Sequence, residues 1–181
     1  MAWTTPSTVV AGQTLSAAFW NEQVRDNQNA LYQTIQRIAY IERTSDYSIS
    51  ATTISGSTEL FASDLTFTAD GTSAYLVEFY SPWIVQPSVQ DSYLSIVLTD
   101  GGNNGRGTLA AIGGGTGANN VQAVRAPCLA RTYFTFSAGS VSLNIRGVVG
   151  SGTGVIRAGS GGTGVLSYFP AYLAVYGPAL S

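Results

Sequence analysis

Histidine and lysine are both absent from this chain, and cysteine occurs once, at Cys128. Without histidine there is no Ser-His-Asp or Cys-His triad, and the commonest zinc ligand is missing. A single thiol closes no internal disulfide, so the fold is not a disulfide scaffold. Cys128 is therefore either a buried structural thiol or a reactive one, and burial is the usual state of a lone cysteine. Charge is scarce as well: 10% of residues are charged, against roughly 25% in ordinary soluble domains. The net charge is −2 and the eight arginines are scattered, which leaves no footprint for nucleic acid and no polybasic membrane patch. No run approaches the roughly 20 apolar residues of a membrane span. The opening "MAWTTPSTVVAGQ" has neither the basic nor the apolar region of a signal peptide, so none is expected.

What is present is apolar: 45% of the 181 residues are hydrophobic, enough for one domain with a sizeable core plus a helical extension. A chain so apolar and so weakly charged is not disordered. Its surface must be built from Ser, Thr, Asn, Gln and Gly, with part of it covered by other protein. The longest segment of helical period is Leu15 to Thr44. Val24, Leu31 and Ile38 occupy one seam position of a coiled coil, and Gln28 and Ile35 the other. Thr14 or Ser16 is placed to cap it. The helix either self-associates or lies on its own β-domain; Asn27, Gln28 and Asn29 leave a narrow apolar stripe, which favours self-association. Gln28 in the seam would set register and copy number, since a misaligned Gln would be buried unpaired.

Ahead of this helix, Pro6, Gly12 and the β-branched pair Val9 and Val10 predict an extended arm. Trp3 on that arm would bury a large apolar surface, either in a neighbouring protein or on its own helix or trimer mate. The stretch "FWNEQVRDNQNAL", preceded by "AWTTPSTVVAGQTLSA", resembles the N-terminal signature of accessory structural proteins of tailed-bacteriophage virions. The matching residues are Trp3, Pro6, Gly12, Asn21, Val24, Arg25, Asp26, Asn27, Asn29, Ala30 and Leu31. Where that family has a Leu between the two asparagines, this chain has Gln28. The resemblance implies a virion component whose arm (Trp3, Pro6, Val9, Val10) docks on other virion proteins, foremost the major capsid protein.

From residue 45 onward short strand candidates recur, separated by Gly, Asn, Asp and Ser. They are "TELFA", "DLTFTAD", "AYLVEFYSPWIVQ", "SYLSIVLTD", "GTLAAIG", "VQAVRAP", "RTYFTFSAG", "SVSLNIRGVV", "GVIRAG" and "AYLAVYG". Tyr75, Val77 and Phe79 share one face, opposite Leu76, Glu78 and Tyr80, and Val141, Leu143 and Ile145 alternate with Ser142, Asn144 and Arg146. "TYFTFSAGSVSLNIR" reads as a hairpin turning at Ala138 and Gly139. Pro82 predicts a bend or an edge next to Trp83. The spacing indicates an antiparallel sandwich or jelly roll. The order of these pieces is similar to trimeric jelly rolls of the tumour-necrosis-factor and complement-head type. That likeness implies a central last strand lining a threefold axis. Tyr133, Tyr168, Tyr172 and Tyr176 are then either inter-subunit contacts or ordinary core, and Trp83 an interface residue or a sugar-stacking platform.

Motifs for chemistry are wanting. The glycine-rich stretches Asp100–Gly117, Gly150–Gly154 and Gly159–Gly164 precede no helix and carry no lysine, so they read as loops rather than phosphate cradles. The ten acidic residues are dispersed, and no calcium-loop pattern surrounds Asp100. Glu78 on its apolar strand faces either solvent or an interface. No catalytic residue, metal or cofactor is therefore expected. The chain reads as mainly β: an arm (1–14), a coiled-coil-like trimerisation and docking helix (15–44), and an antiparallel β-sandwich or jelly roll (45–181). The expected role is a homotrimeric decoration or cement protein of a phage head, located in the virion. The alternatives are a minor tail or short fibre protein, or a trimeric reader of a host receptor or surface glycan through loops near Trp83 and Asn103.

Overall fold

The computed structural model describes residues 16–28, 36–89, 92–113, 125–159 and 169–177. The arm residues Trp3, Pro6, Val9 and Val10 lie outside these, as do Leu31, Ile35 and Tyr168. The helix begins where expected. Ser16 is extended and its hydroxyl accepts from the Phe19 amide at 3.1 Å, opening α1 (Ala17–Trp20). A wider π-helical stretch follows over Asn21–Asp26. Its i→i+5 bonding breaks the 3.5-residue period that a coiled-coil seam needs.

The helix does not run to Thr44. Arg37–Arg43 is strand β1, so Ile38 sits on a sheet and not on a helical seam with Val24. The physical reason is in the stretch "RIAYIER", which also alternates: Ala39 and Ile41 pack on the core, while Ile38, Tyr40 and Glu42 point away. Strand pairing then supplies backbone partners that an isolated helical end lacks.

Among the described residues nine further strands follow: β2 (Tyr47–Ile49), β3 (Leu65–Ala69), β4 (Ala74–Val85), β5 (Tyr93–Asp100), β6 (Gly105–Gly113), β7 (Arg125–Thr135), β8 (Gly139–Val149), β9 (Gly154–Arg157) and β10 (Ala171–Tyr176). They form two antiparallel sheets packed as a jelly-roll-like sandwich. One has the order β3-β8-β5-β6. The other runs β1-β10-β4-β9-β2, with β7 on the opposite edge of β4. β4 is its spine, pairing β10 along Leu76–Tyr80, β9 along Trp83–Val85 and β7 along nearly its whole length. The last strand, β10, is interior, between β1 and β4. At Pro82 the ladder shifts between Ser81 and Ile84, and the Ser81 hydroxyl donates to the Trp83 and Arg157 carbonyls. The bend at proline is thus made good by a side chain. Pro127 is tolerated because β7 is an edge strand.

Alternation builds the core. Tyr75, Val77 and Phe79 of β4 meet Leu173 and Val175 of β10, and from the facing sheet Leu94, Ile96 and Leu98 of β5 and Leu143 and Ile145 of β8. Two expectations need correction. "TELFA" is not a regular strand: Leu60 and Phe61 are buried, and the segment lies along β8, with one bridge from Glu59 to Arg146 and the Leu60 amide on the Ile145 carbonyl. Nor is "TYFTFSAGSVSLNIR" a hairpin. β7 pairs β4 while β8 pairs β3 and β5, so residues 136–138 carry the chain from one sheet to the other. Phe136 is buried at the crossing, and Gly139, at φ 118°, starts β8 in a conformation other residues rarely adopt.

Candidate contact face

A sheet of a sandwich has one face on the core and one turned away. On the β1-β10-β4-β7 sheet the outward face is aromatic and aliphatic. Register places side chains in rows: Tyr133, Leu76 and Tyr176; then Arg131, Glu78, Ala174 and Tyr40; then Leu129, Tyr80, Tyr172 and Glu42. The centre is filled. Ala174 and Glu78 are buried, and Leu76, Tyr80, Tyr172 and Tyr176 are half-buried. The margins are open: Leu129 is 56% and Tyr133 61% exposed on β7, and Ile38 and Tyr40 are each 39% exposed on β1.

Tyrosine rings tile the middle of the face. Tyr172 stacks on Tyr80 with centroids 5.2 Å apart and lies against Tyr40 at 5.6 Å. The Arg37 guanidinium sits 4.2 Å above the Tyr40 ring. Beneath the rings Glu78, only 2% exposed, is held from three sides. Arg131 Nε donates to its Oε2, while the Tyr172 hydroxyl (2.7 Å) and the Tyr176 hydroxyl (3.4 Å) donate to Oε1. A buried carboxylate this well supplied needs no further partner. Burial, and then the hydrogen bond to Glu78, drives the Tyr172 phenol above its usual range; burial and the Glu78 charge do the same to Tyr176. Tyr40 is pushed up to about 12, by burial first and then by its 2.7 Å bond to Glu42 Oε2.

Of the residues singled out in the sequence, Tyr172 and Tyr176 come together here, with Tyr133 at the margin and Ile38 on the opposite margin. Trp83 is 38% exposed on the part of β4 that pairs β9. Val24 is half-buried and Gln28 exposed on the N-terminal helix. The sequence reading did not find Tyr40, Leu129 or the partners of Glu78. Alternation through Arg37–Arg43 was the available signal for Tyr40. Cross-strand partners depend on register, which no local pattern carries.

Elsewhere polar groups serve the fold. Asp100 accepts from the Gly102 and Asn104 amides, which hold its carboxyl below the usual range, and pairs with Arg106 at 3.1 Å. It borders a depression of about 350 Å³ between the β5–β6 turn and residues 135–142. Asn103, in the same turn at φ 64°, accepts from Arg146. Cys128 is buried, which pushes its thiol up to about 11, outside the range of reactive cysteines. Among the described residues no group of three His, Cys, Asp or Glu side chains could hold a metal, and no helix is long and apolar enough to cross a membrane.

No protein-family model and no curated protein matches the chain. Among solved structures it is similar to infectious bursal disease virus, Gx strain, with a TM-score of 0.35 and 15% identity over 75% of this chain and 31% of that one. It is also similar to the T13 particle of that virus (TM-score 0.32, 18% identity, 78% and 35% covered) and to its VP2 subviral particle (0.29, 16%, 78% and 37%). The chain spans about a third of the length of these proteins.

Proposed function

We propose that the chain is a non-enzymatic structural component of a tailed-phage virion: a homotrimer that decorates the head, held there by its N-terminal arm. The observation that carries this reading is the outward face of the β1-β10-β4-β7 sheet, where large apolar side chains stay exposed around a closed polar centre. Scattered exposed apolar residues are ordinary, whereas a contiguous aromatic face is a contact surface. Its occupant is a second copy. The β7 edge of the face bears Arg131 and the β1 edge bears Glu42, opposite charges that a second copy brings together. The interior place of β10 agrees with the jelly-roll likeness, and the arm signature supplies the virion setting and the capsid protein as docking partner.

Light scattering on the size-fractionated full chain tests the assembly. A trimer is expected, and a monomer at every concentration refutes it. Removing residues 1–15 should abolish incorporation into particles, and normal incorporation of that variant discards the docking arm. Copies per particle separate head from tail: hundreds mark a head decoration, a handful a minor tail or fibre protein.

A further inference from the structure

The exposed apolar surface of the contact face lies at its two margins, not at its centre, and the margins differ in composition. The β7 margin offers Leu129, Arg131 and Tyr133; the β1 margin offers Ile38, Tyr40 and Glu42. A face-to-face contact would press together centres that are already filled. A margin-to-margin contact covers what is open, and because the margins are unlike, each copy uses both and a ring can close.

We infer that Glu78 fits this face to a second copy of the chain: its buried carboxylate anchors Arg131 through Nε, and the terminal nitrogens of that guanidinium meet Glu42 on the β1 margin of the neighbouring copy. This rests on the self-association proposed above. Arg131, Glu78, Ala174 and Tyr40 stand in one row, so rotation about an axis along the strands brings Arg131 level with Tyr40 of the next copy. Glu42 is the next side chain on that face, roughly 7 Å along the strand. Glu78 takes Nε and leaves the two terminal nitrogens for a partner, on a side chain that is 60% exposed. The same carboxylate accepts from the Tyr172 and Tyr176 hydroxyls, so these two present ring bodies rather than hydroxyls. Glu78 thus acts as a positioning residue, and Arg131 is not replaceable by lysine, whose one ammonium cannot serve both carboxylates in a fixed fork.

Sedimentation of the full chain over a dilution series tests this with a double-mutant cycle. Glu42→Arg and Glu78→Gln should each raise the dissociation concentration roughly tenfold or more. The melting temperature of dilute Glu42→Arg should fall only slightly, since the substitution removes one exposed hydrogen bond, from Tyr40. The double variant should assemble no worse than the poorer single, because both act through one guanidinium. Additive losses, or association unchanged in both singles, overturn the inference while leaving self-association standing. A wild-type chain that stays monomeric overturns both. If Glu78→Gln fails to fold, Arg131→Lys completes the same cycle against Glu42→Arg, with the same outcomes.

Discussion

Asn144 shows how much one side chain can hold. It is fully buried on β8; its Oδ1 accepts from the Phe61 and Ile145 amides, and its Nδ2 donates to Phe61 O, Ser63 O and Asp64 Oδ1. The sequence pattern put it with Ser142 and Arg146 on the face opposite Val141, Leu143 and Ile145, and the alternation is real. What the pattern could not reveal is that residues 51–64 lie against that side. Asn144→Ala should cost roughly 2–4 kcal/mol in denaturant unfolding, because it strands buried amide and carbonyl groups rather than merely removing a contact. Tyr40, Tyr172 and Tyr176 make the second prediction at this scale. Their folded pKa values lie above the ordinary phenol value near 10, so they add stability below pH 10 that is lost as pH rises through the folded values. Wild-type stability should fall from about pH 10 to beyond 12, and Tyr172→Phe should flatten that fall, as read by unfolding at stepped pH. Tyr172 and Tyr176 were legible as contact candidates because a ring with a polar tip suits an interface. Their convergence on Glu78 was not.

At the level of elements, strands were the legible part. Turn residues punctuate nearly every one, and Tyr75, Val77 and Phe79 face the core as alternation requires. Partner choice was less legible. "SAGS" between two alternating runs has the local form of a tight turn, yet Phe136 is buried at a crossing between sheets, and global burial decides the pairing. The end of the helix failed for a related reason: "RIAYIER" satisfies two periods at once, and β10 offers a ladder. Where β9 ends, Gly159 has φ 65°, and a Cβ there would lie 2.0 Å from the Thr44 carbonyl oxygen, just past β1. Neither the positive φ nor the close backbone leaves room for a side chain. Gly159→Ala should therefore cost at least about 2 kcal/mol in the same unfolding assay.

For the whole molecule, assembly and stability are linked. If copies join through the sheet face, mass action stabilises the folded chain, and its melting temperature should rise with protein concentration. A melting temperature constant across a hundredfold dilution would count against the trimer. β1 lies beside β10, and β10 beside β4. Strands far apart in sequence are thus zipped together, and the earlier waits for the later before its ladder can form. Folding of so non-local a sheet is slow. A nascent chain stalled before Ala171 should therefore remain protease-sensitive along Arg37–Arg43, and a chain stalled well beyond Tyr176 should not.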